Sequence, residues 1–413
     1  MTLQKDEFFL YLNSMDYYNH YDKPTRIDFL FDFICKNDFF TYDKDYVGND
    51  QYRTFRCFYY CYKNNKKEEF EKLWDNVVKK VFNIFYEWYS DINLYHYIGY
   101  VLYLGKATLS DLYKEWNSHD KWGFLKDYLF KTIREKCLSS CHDINKDYDI
   151  NKKKNEAEPL LLLHNIQTIV NQNRVMESNE KYHLGVFYKF PFHLYKKENW
   201  NIEHIDSNTE NDLSDASSQK AWVLSTYTCL DPDKREKVKE DVTKFFTQKD
   251  TQGSDQNDSE EIDFDDIKRE MEELIYKESK GHKMKNEKWK NRIYNYTLLD
   301  ETTNKSYGNA IFPAKRMCII DKERGRVKRA TWNGKEKAIN VKEEDAKSAF
   351  VPICTSKVFQ RAYSANISDI TVWSEDDAKA YGSDIVSTLT NVKIGDSSET
   401  FDFIENKEVK IDE

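Results

Sequence analysis

Residues 68–91 read EEFEKLWDNVVKKVFNIFYEWYSD, and the apolar positions Phe70, Leu73, Val77, Val81, Ile84 and Trp88 recur at steps of three and four. A helix places that set on one side, so the stretch must bury a stripe against another element. The same period continues in KWGFLKDYLFKTIREKCL, 121–138. TLSDLYKEW, 108–116, opens with a Thr-x-x-Asp capping signal before its apolar pattern. The polar run 142–158 reads as a loop, and PLLLLHNIQTIVNQN starts one more helix with Pro159 in its first turn. Residues 1–175 are therefore expected to form an α-helical bundle. Its core is aromatic, because 29 Tyr and 25 Phe supply burial that the aliphatic content does not.

From Tyr182 the texture changes. Trp200–Ile205 reads as a strand, followed by three helical patterns at 214–230, 231–246 and 263–280, with an acidic low-complexity loop between the last two. NRIYNYTLLD, 291–300, reads as a second strand, and 302–321 runs from a turn into a helix. Two more helices are expected in 348–364 and 374–389, and no internal repeat is present. The fold class is mainly α with a small α+β part. At 413 residues the chain is long for one core, which predicts two or three domains.

The longest apolar runs, 97–105 and 159–170, are too short and interrupted to span a bilayer, and residues 1–21 lack the pattern of a secretory signal. These readings point to the cytoplasm. The eight cysteines form no CxxC pair; Cys57/Cys61 and Cys137/Cys141 are one helical turn apart, which suits free thiols on a helix face. His164 is expected in the core, while His96, His119, His183 and His193 show no partner in the sequence. The net charge is −9, yet it is unevenly spread. Residues 255–278 hold 11 acidic and 3 basic residues, and residues 280–342 hold 17 basic and 6 acidic, an excess of +11 able to neutralise several phosphates. The acidic stretch 255–266 lacks EF-hand spacing and reads as a solvated loop.

WNIEHIDSNTEN, 200–211, places Glu203 and His204 at the end of the first strand. Hydrolysis of a phosphodiester with one metal ion needs a general base, a hard divalent cation and oxygen ligands to hold it. YNYTLLDETTNKSYGNAIFPAK then offers Asn295, Asn304, Asn309 and Lys315 in order. An asparagine amide presents an oxygen to a hard metal and an NH2 able to brace a loop.

Glu-His on one strand, Asn on a second, then a helix with further Asn resembles the ββα-metal, or HNH, nuclease domain of the GmrSD-type, modification-dependent (type IV) restriction endonucleases. The similarity covers 186–391, with a helical insertion at about 214–280 and a tail at 392–413. Residues 1–175, including PTRIDFLFDFI and EWYSDINLYHYIGYVLYLG, resemble the helical region that precedes that nuclease. The resemblance implies His204 as general base, Glu203 and Asn304 as ligands of one Mg2+ or Mn2+, and Asn295 as a brace for the His-bearing loop. Asn309 and Lys315 are implied in shaping the loop and contacting phosphate, and Asp206 as a further ligand or hydrogen-bond partner. The implied activity is DNA cleavage in phage defence or modification-dependent restriction.

The departures are specific. Tyr294-Asn295-Tyr296 stands where the family has Gly-Asn-Leu, and zinc-binding CxxC pairs are absent. The Asp-Gly-Gln-Gln-Arg signature of the family's ParB-like NTPase domain is also missing, as is a G-x-x-x-x-G-K-[ST] loop. A separate ParB-like NTPase subunit is thus an expected partner besides DNA. The alternative function is a catalytically silent DNA-binding or assembly subunit, and the chemistry at phosphorus equally admits RNA.

Overall fold

The 68–91 stripe forms a helix whose pitch changes in the middle. A computed structural model describes residues 4–20, 25–37, 39, 41–65, 67–148, 156–177, 188–206, 213, 215–250, 262–276, 290–303, 310–363, 371–395, 398–405 and 408–410. Helix Lys67–Leu73 passes through a π-helical turn, Trp74–Lys79, into helix Lys80–Ser90. A π turn carries extra residues, so it rotates the following helix relative to the preceding one. The buried stripe accordingly moves to Val78, Val81, Ile84, Phe85 and Trp88, while Phe70, Leu73 and Val77 are only half-buried.

The described chain is mostly helical with three two-stranded antiparallel sheets, and it divides into two compact units. Unit 1 comprises Met1–Ser139, Ile169–Lys197 and Asn391–Phe403; unit 2 comprises Ser140–Thr168, Glu198–Thr390 and Ile404–Glu413. Neither unit is one continuous stretch: the expected boundaries at 175 and 186 fall inside the unit 1 segment Ile169–Lys197, and the chain returns to unit 1 at Asn391, beside the expected boundary at 392. The reason is visible in unit 1. Tyr188 and Asn173 exchange two hydrogen bonds of 2.8 Å, the Tyr95 hydroxyl donates to the Phe190 carbonyl, and the Phe190 N–H donates to His96 Nε2. Residues 188–197 therefore complete the helical unit.

Helix Ile92–Tyr103 is apolar on every side and is buried from Ile92 to Val101, as a central helix must be. Tyr11 stacks on Tyr95 with ring centroids 4.6 Å apart, and Tyr97 meets Phe130 edge-on at 4.8 Å. At Gly99 a Cβ would lie 2.3 Å from the Phe192 ring, so the close approach of that ring requires glycine.

Lys196 closes another part of unit 1. Its ammonium donates to the carbonyls of Leu10, Tyr11 and Asn13 at 2.6, 3.2 and 3.1 Å, capping the end of helix Asp6–Leu12. Lys196→Met keeps the stem and removes all three donors. It is expected to destabilise unit 1 by about 3 kcal/mol in chemical denaturation. A loss below about 1 kcal/mol would mean that water replaces the ammonium without strain.

In unit 2 the three expected insertion helices are present as Ala216–Cys229, Pro232–Asp250 and Phe264–Tyr276. Helix Glu375–Leu389 starts with a full capping box between Ser374 and Asp377. The first sheet pairs β1, Trp200–His204, with β2, Tyr296–Asp300. A hairpin was not anticipated between the expected helices at 302–321 and 348–364: β3, Arg326–Asn333, pairs with β4, Ala338–Asp345. Its signal is the Asn333-Gly334 dipeptide. Asn333 Oδ1 accepts from the N–H groups of Lys335 and Glu336, and Lys337 takes a left-handed φ of 45°.

The hairpin register also reduces the basic excess read from the sequence. Arg326, Val327 and Lys328 lie opposite Asp345, Glu344 and Glu343, acids that directly follow the counted 280–342 segment. All eight cysteines are free thiols. Cys57 and Cys61 share helix Arg53–Asn64, whereas Cys141 lies beyond the π-helical turn Ile133–Cys137, so the one-turn reading holds for the first pair and fails for the second.

Candidate functional site

β1 and β2 place the Glu-His pair. His204 lies opposite Tyr296 and Glu203 opposite Thr297, and the two side chains leave the strand on opposite faces. The His204 ring packs on the Tyr296 ring with centroids 4.7 Å apart, and its Nε2 lies 3.3 Å from Asn291 Oδ1. The amide oxygen accepts only, so Nε2 is assigned the proton and the neutral ring keeps its lone pair on Nδ1. Burial holds the His204 pKa below the usual imidazole value, against the opposing effect of Asn291. The ring is thus neutral at pH 7.

Asn295 lies in a 3-10 turn, Ile293–Asn295, that leads into β2, and it is fully buried. Its Oδ1 accepts from the Asp206 N–H at 3.0 Å, and its Nδ2 donates to the carbonyls of Asp206 and Lys290 at 3.1 and 2.9 Å. The Ile205 N–H donates to the Asn295 carbonyl at 2.8 Å. One amide therefore ties both the segment after His204 and the segment before β2. Asp206 enters these contacts through its backbone.

Lys315 is placed differently from its expected contact with phosphate. It comes from helix Phe312–Glu323, has a side chain 1% exposed, and donates to Glu203 Oε1 at 2.6 Å and to the His204 carbonyl at 2.7 Å. A buried ammonium beside a carboxylate that is 16% exposed forms an internal ion pair. Asn304 and Asn309 lie outside the described residues. Among the described residues no group of three or more His, Cys, Asp or Glu could hold a metal ion, and the Glu203 carboxylate is taken up by Lys315. The described donors therefore do not by themselves fit Mg2+ or Mn2+.

Three contributors were invisible in the sequence. Asn291 contacts His204, the Tyr296 hydroxyl donates to the Tyr148 carbonyl at 2.7 Å, and the Tyr148 N–H donates to the Asn291 carbonyl at 2.8 Å. Nothing in their local pattern distinguishes them from other polar and aromatic positions. The scan against protein-family models gives no match, and no curated protein and no solved structure matches the chain. No helix among the described residues is long and apolar enough to cross a membrane.

Unit 2 holds a second buried polar cluster. His164 Nε2 lies 2.9 Å from Asp384 Oδ2 and 3.8 Å from Cys354 Sγ, and the Tyr363 hydroxyl donates to the same Asp384 oxygen at 3.0 Å. Both partners meet one ring nitrogen and Cys354 is fully buried, so the trio lacks the relay geometry of a cysteine nucleophile. Burial opposes charge on His164, yet Cys354 and Asp384 outweigh it and raise the pKa to about 9. In unit 1, His96 does have partners: its Nδ1 contacts the Ile92 carbonyl at 2.6 Å and its Nε2 accepts from Phe190. Burial lowers it to about 4.

The two histidines give the units opposite pH responses. His164 has its folded pKa above the ordinary 6.5, so its stabilisation of unit 2 is complete below pH 6.5 and is lost as pH rises toward about 9. His96 has its folded pKa below 6.5, so unit 1 keeps full stability above that value and loses it as pH falls toward about 4. Each effect is on the order of 3 kcal/mol. Denaturation midpoints from pH 4 to 9 should flatten on the alkaline side in His164→Gln and on the acid side in His96→Gln. Unchanged profiles in both variants would contradict the assignment.

Proposed function

We propose that unit 2 carries a phosphodiesterase site acting on DNA, with His204 as general base, in a modification-dependent restriction or phage-defence endonuclease of the HNH type. The observation that supports this reading is the Asn295 amide, which fixes the chain on both sides of the His-bearing turn. A neutral imidazole with Nε2–H directed to Asn291 keeps Nδ1 as the proton acceptor for an attacking water. β1, β2 and helix Phe312–Glu323 follow one another in the order that a ββα nuclease requires, with the three insertion helices between the strands. Mg2+ or Mn2+ held by Glu203 and Asn304 belongs to the same proposal, and no catalytic step is routed through the ion here. A ParB-like NTPase subunit remains the proposed partner.

A second reading has its own support. The Lys315–Glu203 pair occupies the carboxylate proposed for the metal, as suits a scaffold that binds DNA without cutting it. A plasmid nicking and cleavage assay with Mg2+, Mn2+ or EDTA, on plain DNA, on DNA carrying glucosylated hydroxymethylcytosine and on RNA, separates the two. Metal-dependent cutting supports the nuclease. DNA binding without cutting under every condition, with the NTPase partner added, supports the scaffold.

A further inference from the structure

Unit 1 contains a pocket of about 490 Å3 between helices Asp28–Lys36, Arg53–Asn64 and Lys67–Leu73 and the following π-helical turn. That volume is in the range of small-molecule sites. Phe31 and Phe58 meet edge-to-face at 5.1 Å within its wall, and Phe31 also packs on Trp74 at 6.2 Å. Three of its aromatic residues are unusually exposed for their size: Tyr52 is 59%, Phe55 67% and Trp74 43% exposed. Leaving that much aromatic surface in water is unfavourable unless something covers it.

The polar groups of the lining decide what fits. Among the described residues Asp28 is the sole charged side chain of the lining, and it accepts a hydrogen bond from the Thr25 hydroxyl at 3.2 Å. Thr54 is turned away from the pocket's needs, because its hydroxyl already donates to Asp32. Among the described residues no Lys, Arg or His lines the pocket. An anion would meet a carboxylate and the negative faces of aromatic rings. A neutral apolar molecule would fill the volume and desolvate Asp28 without compensation. A cation with an apolar body gains from both the ring faces and the carboxylate. We propose that this pocket is a binding site for an organic cation, an aromatic or quaternary amine, held by the Phe31, Tyr52, Phe55, Phe58 and Trp74 rings and by Asp28.

Calorimetric titration of the full chain with phenyltrimethylammonium, and with its neutral isostere tert-butylbenzene, tests this. Saturable binding of the cation is expected, with the isostere about tenfold weaker. Phe55→Ala, a change at an exposed position, should weaken both probes, whereas Asp28→Asn should remove most of the preference for the cation. Thermal melting of each variant shows that the unit is still folded, and Tyr52→Ala gives a second readout at an exposed ring if Asp28→Asn unfolds. Equal affinity for the two probes, or no saturable binding of the cation to wild type, overturns the proposal.

Discussion

His204→Ala is expected to lower DNA cleavage by about 100- to 10,000-fold, the range associated with loss of a positioned general base. The substitution removes the proposed proton acceptor and leaves Asn295, which holds the turn from the other side, untouched. The proposed base is half of a packed pair with Tyr296, so a control must separate chemistry from folding. His204→Gln preserves much of the volume and a donor toward Asn291, and should keep the melting temperature near wild type while remaining inactive. A DNA affinity that survives in both variants would place the loss in the chemical step. Cleavage that persists within about tenfold of wild type would remove His204 from the role of base, since even the weakest general bases exceed that.

Lys315→Met is expected to be the most damaging single change to the stability of unit 2. The ammonium is 1% exposed and serves two acceptors, the Glu203 carboxylate at 2.6 Å and the His204 carbonyl at 2.7 Å. Methionine matches the length of the stem but leaves the carboxylate without its counter-charge, and breaking one side of a buried pair costs about 3–5 kcal/mol. Adding Glu203→Gln removes the orphaned charge, so the double variant should recover part of the loss. Denaturation midpoints of the two single variants and the double variant measure the coupling. Additive losses would show that the two groups act independently, and the ion pair would then carry no weight in organising the site.

Both results bear on why the site was only partly legible. The strand at 200–205, the second half of the strand expected at 291–300, the helix expected to follow it and the insertion helices come from period and punctuation, which are local properties of the chain; Ile293–Asn295 is a 3-10 turn instead of strand. The cap signal at Thr108 belongs to the same class and forms a full capping box, as does Ser374 with Asp377. The π-helical turn at Trp74–Lys79 escaped because it shifts the buried face without breaking the apolar pattern that announces it. The β3–β4 hairpin carries a local turn signal in Asn333-Gly334, but its strands are rich in charge and lack a clear apolar alternation.

What the amino-acid order determined by itself is thus most of the helices, the β1 and β2 strands, the caps at Thr108 and Ser374 and the Glu-His pair at the end of β1. The tertiary structure decided which groups meet. Lys315 finds Glu203 across 112 residues, His204 finds Asn291 across 87, and His164 finds Asp384 across 220. It also decided that residues 188–197 and 391–403 complete the helical unit, and that Asp345 and Glu343 face Arg326 and Lys328. Period and capping arise from neighbours a few bonds apart, so they survive in any reading of the chain. Such long-range pairings are set by how whole elements pack, and no local pattern encodes that.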